Sequence, residues 1–322
     1  MLTTFRRIEE VPPGFGPTAL TIGNFDGVHV GHARILREVV EAARQNGWTP
    51  AALTFDPHPT RVLAPERAPK LLTSLSQRLA LFEQAGLEAA MVLPFTVDVA
   101  RLSPEEFVRR ILVESFGARV VAVGGNFRFG HRQAGTVETL EALGRDLRFA
   151  VRIVAPVLCR GGLASSSRVR HLILEGNVAR AGRLLGRPFA LEGRVVSGHG
   201  IGSRQTVPTL NLAPDTEVIP ARGVYVTCAE DADSARRWPA VTNVGIRPTF
   251  GGIDLSIETY LLRPLEGSDP AKLRLSFWRR LRDEKKFDSP EALRHQILHD
   301  VARAETFFRR LSAAHPVKEI VL

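Results

Sequence analysis

The sequence predicts an α/β domain with a doubly wound parallel sheet, followed by a small antiparallel β-barrel with a terminal helix. Its 322 residues are enough for two domains of ordinary size. Strands and helices alternate through the first half, which is typical of a parallel sheet covered by helices. Short alternating strands separated by turns rich in Gly, Pro, Asn and Asp occupy the second half, which is typical of a barrel. We place the boundary beside Gly186-Arg187-Pro188, giving domains 1–186 and 187–322.

In the first half, each expected helix begins with a recognisable signal. Ser74 is a capping residue for a helix through Gln84, and Ser103-Pro104 opens another with acidic residues near its positive end. Thr136 begins a third. The expected strands are 18–22, 51–55, 89–93, 119–123 and 150–154, with the first helix at 33–46. In such a sheet, ligands bind at the carboxyl ends of the strands.

In the second half, the hydrophobic pattern changes period from that of helices to that of strands. A short helix is expected at 177–185, and a final helix from about Ser289 to Ala313 has Pro290 at its first position. The expected barrel strands are 190–196, 224–229, 240–244, 256–262 and 272–280.

The composition predicts a cytoplasmic protein that does not insert into a membrane. Apolar residues make up 44% of the chain, and no apolar run approaches membrane-spanning length. The first residues lack the apolar stretch of a secretion signal. Cys159 and Cys228 are far apart without metal-type spacing, so we expect free thiols in a reducing compartment.

The chain is strongly basic, with a formal net charge of +9 and a pI near 10.4. Such a balance fits either nucleic acid or a polyanionic substrate such as ATP. The basic residues are scattered, and aromatic residues make up only 7%, fewer than base-stacking platforms usually need. We therefore expect no nucleic-acid partner, and salt-sensitive retardation of DNA or RNA would distinguish that alternative.

The most informative stretch runs from Thr21 to His32, between a buried strand and an amphipathic helix. A strand, a tight Gly-rich turn and a helix N-terminus together form a geometry that holds phosphate. His29 and His32 are three residues apart, so on a first helical turn they share one face. The spacing matches neither a P-loop nor a dinucleotide fingerprint. His-x-Gly-His instead resembles the nucleotidyltransferase superfamily, with a metal pair or simple surface histidines as the alternatives.

Three further polar segments follow predicted strands of the same sheet. Each has a plain structural reading, because prolines end strands, Gly-Asn forms turns and serines cap helices. Their common position at one sheet edge favours a shared cleft. The segments are Asp56-Pro57-His58-Pro59, Gly124 to Gly130, and Ser165-Ser166-Ser167-Arg168-Val169-Arg170.

The barrel half carries a second possible phosphate site. The Gly-rich loop from Ser197 to Arg204 can cover phosphates with backbone N–H groups, or it can be a flexible hairpin. Thr209 and Asn211 alternate, so on a strand they point to one face, where their oxygens suit Mg²⁺. Glu258 is a lone carboxylate in an apolar strand, and a buried acid needs a partner or a chemical role.

Taken together, these motifs resemble the bacterial bifunctional riboflavin kinase/FAD synthetase family. The resemblance rests on the stretch from Gly23 to His32, the three strand-end segments, Pro208-Thr209-Leu210-Asn211 and the strand around Glu258. It implies FMN adenylyltransferase in the first half and riboflavin kinase in the second. It also implies riboflavin, FMN, FAD and ATP as the ligands, with ATP as co-substrate and Mg²⁺ as cofactor. Ser167 stands where the family usually has Thr, and Leu210 where it usually has Ala.

The resemblance also implies roles for individual residues. The catalytic residues would be Glu258, His29 and His32, and the metal ligands Thr209 and Asn211. The flavin-binding residues would be Pro57, His58, Pro59, Asn126, Arg282 and Phe287. The ATP-binding residues would be Gly23, Asn24, Phe25, Asp26, Gly31, Ser166, Ser167, Arg168, Gly198, Gly200, Gly202 and Arg204.

Two enzymatic alternatives remain compatible with the sequence. One is a chain with a single live activity, which resolving FMN from FAD after incubation with riboflavin and ATP would reveal. The other is an adenylyltransferase for a different phosphate, a reading that leaves the barrel half without a role.

Overall fold

A computed structural model describes residues 1–159, 162–196, 209–249, 252–265 and 268–314. The chain divides into two compact units, Met1–Ser166 and Ser167–Leu322. Within the described ranges, no helix is both long and apolar enough to cross a membrane.

The first unit is built on a six-stranded, fully parallel sheet, as the sequence predicts. All five expected strands are present, and a short N-terminal strand adds a sixth at one edge. The strands are β1 (Thr3–Phe5), β2 (Thr18–Ile22), β3 (Thr49–Phe55), β4 (Ala89–Leu93), β5 (Ala118–Gly124) and β6 (Ala150–Val154). Their order is β1-β4-β3-β2-β5-β6, so the chain changes direction across the sheet between β2 and β5. In doubly wound sheets this switch point opens a crevice for ligands.

The helices of the first unit cover both faces of the sheet. On one face, Leu36, Val39 and Phe82 belong to one apolar cluster. On the other face, Ile111 and Leu140 belong to a second apolar cluster. The helices are α1 (Val30–Asn46), α2 (Pro59–Leu63), α3 (Leu75–Gln84), α4 (Val97–Arg101), α5 (Pro104–Phe107) and α6 (Val137–Leu147), with a π-helical segment Val108–Ser115 after α5.

The helices α3, α5 and α6 begin at the capping signals expected from the sequence, whereas α1 does not. Ser74, Ser103 and Thr136 each accept a hydrogen bond from the backbone of the first turn, in capping boxes. Helix α1, however, begins at Val30 rather than at residue 33, because His29 caps it. Histidine is not among the residues that signal a helix start, so the sequence places this start too late.

The second unit contains the expected closed antiparallel barrel, in the order β10-β11-β8-β7-β12-β9. Its strands are β7 (Phe189–Val196), β8 (Leu210–Pro214), β9 (Gly223–Asp231), β10 (Arg237–Thr249), β11 (Gly252–Leu261) and β12 (Lys272–Arg282). Inside the barrel, the buried hydroxyls of Thr227, Thr242 and Thr259 form a ladder with oxygen separations of 2.7 and 3.0 Å.

Three helices complete the second unit: α7 (Ser166–Leu174), α8 (Val178–Leu185) and α9 (Pro290–Ala314). Helix α9 buries Ala304 and Phe308 against Val224, Val226 and Val241 on the outer face of the barrel. Helix α8 lies against β7 and β12 and buries its apolar face there. The division by contacts falls after Ser166, the first residue of α7, whereas the predicted boundary at 186/187 lies after α8.

Candidate functional site

The turn after β2 has an unusual backbone. Phe25 and Val28 have φ values of 49° and 38°, and Gly27 lies between them with φ of 80°. Residues with side chains rarely occupy this region, and such strain persists only where the surroundings hold it. The ring of Phe25 is buried and packs edge-on against Phe82, which fixes the turn to the core.

His29 caps helix α1 through its ring. Its Nδ1 accepts the backbone N–H of Gly31 at 3.2 Å and that of His32 at 3.3 Å. A neutral His29 therefore carries its proton on Nε2. A Cβ on residue 31 would lie only 3.0 Å from Cε1 of the His29 ring, so glycine leaves the ring room that a larger residue would crowd.

His32 stacks on His29, with ring centroids 3.7 Å apart and planes 17° from parallel. Burial lowers the pKa of His32 well below its usual range, and repulsion from His29 and Arg78 lowers it further. The folded chain therefore favours the neutral imidazole of His32 at neutral pH. Its Nδ1 is buried without a hydrogen-bond partner among the described residues.

Asp26 holds the turn in place from within. Its carboxylate Oδ1 accepts the backbone N–H groups of Leu72 at 2.9 Å and Thr73 at 3.2 Å. The N–H of Gly27 donates to the Thr73 hydroxyl at 3.1 Å, and Ser166 donates its hydroxyl to the Asp26 carbonyl at 2.8 Å. Asp26 and Ser166, both predicted to bind ATP, are thus engaged in supporting the turn.

The other predicted ATP-binding residues of this half lie in the turn itself or in the first turn of α7. Gly23 lies under the Phe25 ring, and Asn24 is half-buried with its carbonyl accepting the Thr54 hydroxyl at 3.3 Å. Ser167 is exposed and Arg168 half-buried in the first turn of α7.

The residues predicted to bind flavin in this half follow β3 and β5. His58 caps α2, accepting the N–H of Thr60 at 3.3 Å, with Pro57 exposed before it and Pro59 at the first position of the helix. Asn126 is exposed just after β5. Both strands neighbour β2, so these segments and the Gly-rich turn end at adjacent positions of one sheet edge.

Arg78 is a charged residue at this site that the sequence analysis did not single out. It lies on α3, is 2% exposed, and its Nη1 donates to the Thr54 hydroxyl at 3.0 Å and the Phe55 carbonyl at 3.2 Å. A lone arginine in a helical pattern normally indicates a solvated face. Only its burial against the end of β3 distinguishes Arg78 from a solvent-exposed arginine of a helix.

In the barrel, strand register brings distant polar residues into one row. Asn211 of β8 lies opposite Glu258 of β11, and Glu258 lies opposite Asn243 of β10. The row continues through Val224 to Arg282 of β12. Directly opposed residues share one face of a sheet and come within reach of each other. The row therefore joins a predicted metal ligand, the predicted base and a predicted flavin contact.

Glu258 is half-buried, and its Oε1 accepts the Ser256 hydroxyl at 2.8 Å. Thr209 lies two residues before Asn211 and directly precedes β8, which begins at Leu210. A hydroxyl, an amide oxygen and a nearby carboxylate are oxygen donors of the kind Mg²⁺ takes, alongside phosphates and water. These residues fit the ion. Across the described ranges, no group of three or more His, Cys, Asp or Glu forms a metal cluster.

Arg282 and Phe287 lie together at the end of β12. The Arg282 guanidinium sits 5.6 Å from the centre of the Phe287 ring. Its Nε donates to Asp300 of α9 at 2.8 Å, and Asp300 also accepts from Gln296 at 3.1 Å. The carboxylate of Asp300 is almost fully buried, so it fixes the direction of Arg282.

Four predicted ATP-binding residues of the barrel half lie outside the described residues. These are Gly198, Gly200, Gly202 and Arg204. Asn243, in contrast, is described and lies beside Glu258, although the sequence analysis gave it no role. The local sequence around Asn243 does not indicate a chemical role. Only the pairing of β10 with β11 shows that Asn243 lies opposite Glu258.

Comparison with known proteins assigns each half to a family. The family model for FAD synthetase matches residues 13–168, and that for riboflavin kinase matches residues 185–308. The crystal structure of a macrolide-efflux protein from Streptococcus pneumoniae has a TM-score of 0.84 to this chain at 28% identity, covering 94% of this chain and 98% of that one.

Two curated relatives match almost end to end. The bifunctional riboflavin kinase/FMN adenylyltransferase of Escherichia coli (strain K12) is 33% identical over 290 residues, which is 90% of this chain and 92% of that protein. The protein of the same name from Pseudomonas fluorescens is 35% identical over 300 residues, or 93% and 96% of the two chains. The chain described here belongs to the bifunctional riboflavin kinase/FMN adenylyltransferase family.

Proposed function

We propose that the two reactions of this family occur at two separate sites of this chain. Riboflavin is phosphorylated at the barrel, around the row from Asn211 to Arg282. FMN is adenylylated at the carboxyl edge of the parallel sheet, around His29 and His32. The observation that carries the proposal is the direct opposition of Asn211 and Glu258, which lie far apart in the sequence.

At the barrel, Glu258 takes the proton from the terminal hydroxyl of the riboflavin side chain. The freed oxygen then attacks the γ-phosphorus of ATP in line, and ADP leaves. Asn243 and Ser256 lie beside the carboxylate and keep it directed along the row. Arg282 and Phe287 offer a cation and an aromatic face, which suit a planar flavin ring.

Thr209 and Asn211 would hold a magnesium ion at the barrel site. When bound, the ion would neutralise negative charge on the transferring phosphoryl group. Gly198, Gly200, Gly202 and Arg204 belong to the loop that we assign to the ATP phosphates of this site.

At the sheet edge, the phosphate of FMN attacks the α-phosphorus of a second ATP and expels pyrophosphate. No protein nucleophile is needed, because the attacking group is already an anion. The backbone N–H groups at the start of α1, with His29 and His32, stabilise charge on the phosphates by position and electrostatics. Gly23, Asn24, Ser167 and Arg168 complete the triphosphate contacts, and the loops at His58 and Asn126 hold the flavin.

Replacing Glu258 tests the kinase assignment. We expect Glu258→Gln to lower FMN formation at least about 100-fold, because the hydroxyl then loses its base. Conversion of supplied FMN to FAD should stay within about twofold of the parent rate, given separate sites. Separation of riboflavin, FMN and FAD by chromatography measures both. Near-normal kinase turnover in this variant would refute Glu258 as the base.

The complementary variant is His32→Ala. We expect it to lower FAD formation from FMN about 100-fold, because charge on the phosphates loses part of its stabilisation. The kinase reaction on the same protein serves as the control for folding. Unchanged FAD formation would show that the stacked histidines are not part of the adenylyl-transfer site.

We also assign a residue range to each reaction and a cellular compartment to the protein. We assign residues 1–186 to adenylyl transfer and 187–322 to the kinase. Most of α7 and α8 lies between the two regions that the family models match. ATP and riboflavin are metabolites of the cytoplasm, and we propose that the protein acts there.

A further inference from the structure

The segment from Leu72 to Arg78 supports the Gly-rich turn on two sides. At its start, the N–H groups of Leu72 and Thr73 hold the Asp26 carboxylate. At its end, Arg78 donates to the Thr54 hydroxyl, which in turn donates to the Asn24 carbonyl at 3.3 Å. The turn is strained at Phe25 and Val28, and strained backbone needs such support to persist.

Arg78 is buried to an unusual degree for an arginine, with only 2% of its surface exposed. Its Nη1 has two partners, whereas its Nε is buried without a hydrogen-bond partner among the described residues. Burial lowers the pKa of Arg78, and the charges of Asp26 and Asp56 oppose that shift. An arginine stays protonated even so, and it is therefore a fixed positive charge at the end of β3.

We propose that Arg78 is a positioning residue for adenylyl transfer, which holds the Gly-rich turn through Thr54 and keeps a permanent positive charge beside His32. The inference rests on the adenylyl-transfer site proposed above. It adds a residue on α3, outside the turn and outside the helix that carries the two histidines.

The charge of Arg78 acts on His32 in addition to that of His29. His32 faces His29 in the stack, the ring of Phe25 and the charge of Arg78, while Asp26 and Asp56 lie near Arg78 itself. Two stacked imidazoles beside a guanidinium cannot both be protonated at low cost. Burial is the main reason that His32 is neutral, and the charge of Arg78 reinforces it. The guanidinium also adds positive potential where the phosphates would bind.

The test compares Arg78→Met, which removes the charge, with Arg78→Lys, which keeps the charge but loses the planar fork. We expect Arg78→Met to lower kcat for FAD formation from FMN about 100-fold. The kinase rate of the same protein should stay within about twofold. Arg78→Lys should be intermediate. Arg101→Met, on an exposed arginine of α4, is the matched control and should leave both rates unchanged.

A second measurement separates positioning from a merely structural contribution. NMR titration of the His32 ring should give a higher pKa in Arg78→Met than in the parent protein, because a nearby positive charge is gone. Arg78→Lys should keep the low value. Thr54→Val removes the link to Asn24 but not the charge, so it should reduce kcat without moving the His32 titration.

The outcomes are distinct. Normal FAD formation in Arg78→Met, or an unmoved His32 titration, would overturn the role of Arg78. If His32→Ala also forms FAD from FMN at the normal rate, the proposed adenylyl-transfer site is wrong. If His32→Ala loses FAD formation but Arg78→Met keeps it, only the role of Arg78 is wrong. Should Arg78→Met fail to fold, normal FAD formation in both Arg78→Lys and Thr54→Val would overturn the role of Arg78.

Discussion

Gly31 shows how one residue without a side chain determines the geometry of a site. A Cβ there would come within 3.0 to 3.1 Å of the His29 ring, so alanine would displace the ring from the helix N-terminus. Gly31 belongs to α1, where alanine also favours the helix by up to about 1 kcal/mol over glycine. Stability and activity should therefore respond differently to this substitution.

For Gly31→Ala, we expect the free energy of unfolding to change by less than about 1 kcal/mol, because the better helix propensity offsets the disturbed cap. FAD formation from FMN should fall about tenfold through displacement of the histidine pair. Steady-state kinetics of both reactions would measure this, with the kinase rate as internal control. An unchanged rate of FAD formation would mean that the position of the His29 ring does not matter.

His32 makes stability depend on pH. The pKa of His32 is lowered in the folded chain, so below about pH 6.5 the unfolded chain binds a proton that the folded chain does not. Stability contributed by this group is therefore lost as pH falls below that value. We expect the midpoint of thermal unfolding to decrease between about pH 7.5 and pH 5, and less steeply in His32→Asn. Equal slopes for the two proteins would contradict a neutral, buried His32.

At the scale of elements, the ends of strands and helices were predictable where local chemistry sets them. Ser74, Ser103 and Thr136 cap helices as expected, since their hydroxyls satisfy backbone N–H groups of the next turn. The start of α1 was not predictable, because its cap depends on a histidine ring held by Gly31. The contact of α3 with the end of β3 was equally hidden, since it joins Arg78 to residues over 20 positions away.

The contact between α9 and β12 depends on a buried ion pair, and this leads to a prediction. Arg282 and Asp300 are 16% and 2% exposed and lie 2.8 Å apart. Asp300→Ala would leave the Arg282 charge without its partner, and we expect a loss of about 3 kcal/mol in the stability of the barrel unit. The affinity for riboflavin should weaken as well, since Arg282 is no longer directed. Chemical denaturation and KM for riboflavin measure the two effects.

The matched control is Glu105→Ala, in the exposed i,i+4 pair with Arg109 at 2.9 Å. Water and salt screen that pair, so its removal should cost less than about 0.5 kcal/mol. If both substitutions cost the same, burial would not be the reason for the strength of the Arg282–Asp300 pair.

At the scale of the whole molecule, two separate sites imply that FMN can pass between chains. Glu258→Gln should make little FMN and His32→Ala should convert little of it, so either variant alone should form FAD from riboflavin only slowly. Mixing the two proteins should restore FAD formation, to about half the rate that an equal amount of parent protein shows with saturating free FMN. Chromatographic separation of riboflavin, FMN and FAD measures FAD formation in the mixture. A mixture that makes FMN but no FAD would mean that FMN must be transferred within one chain.

The sequence by itself determined the fold class and the family, and it located the strands other than β1 and β8. Hydrophobic periodicity differs between a parallel sheet and a barrel, and the Gly-rich turn, the Thr-x-Asn pair and Glu258 are local patterns. Only the tertiary structure decided which of these residues meet. Asn243 joins Glu258 through strand register, Arg78 reaches the turn from another helix, and His32 is neutral because of burial. Register, burial and charge arise between segments distant in the chain, so no local pattern encodes them.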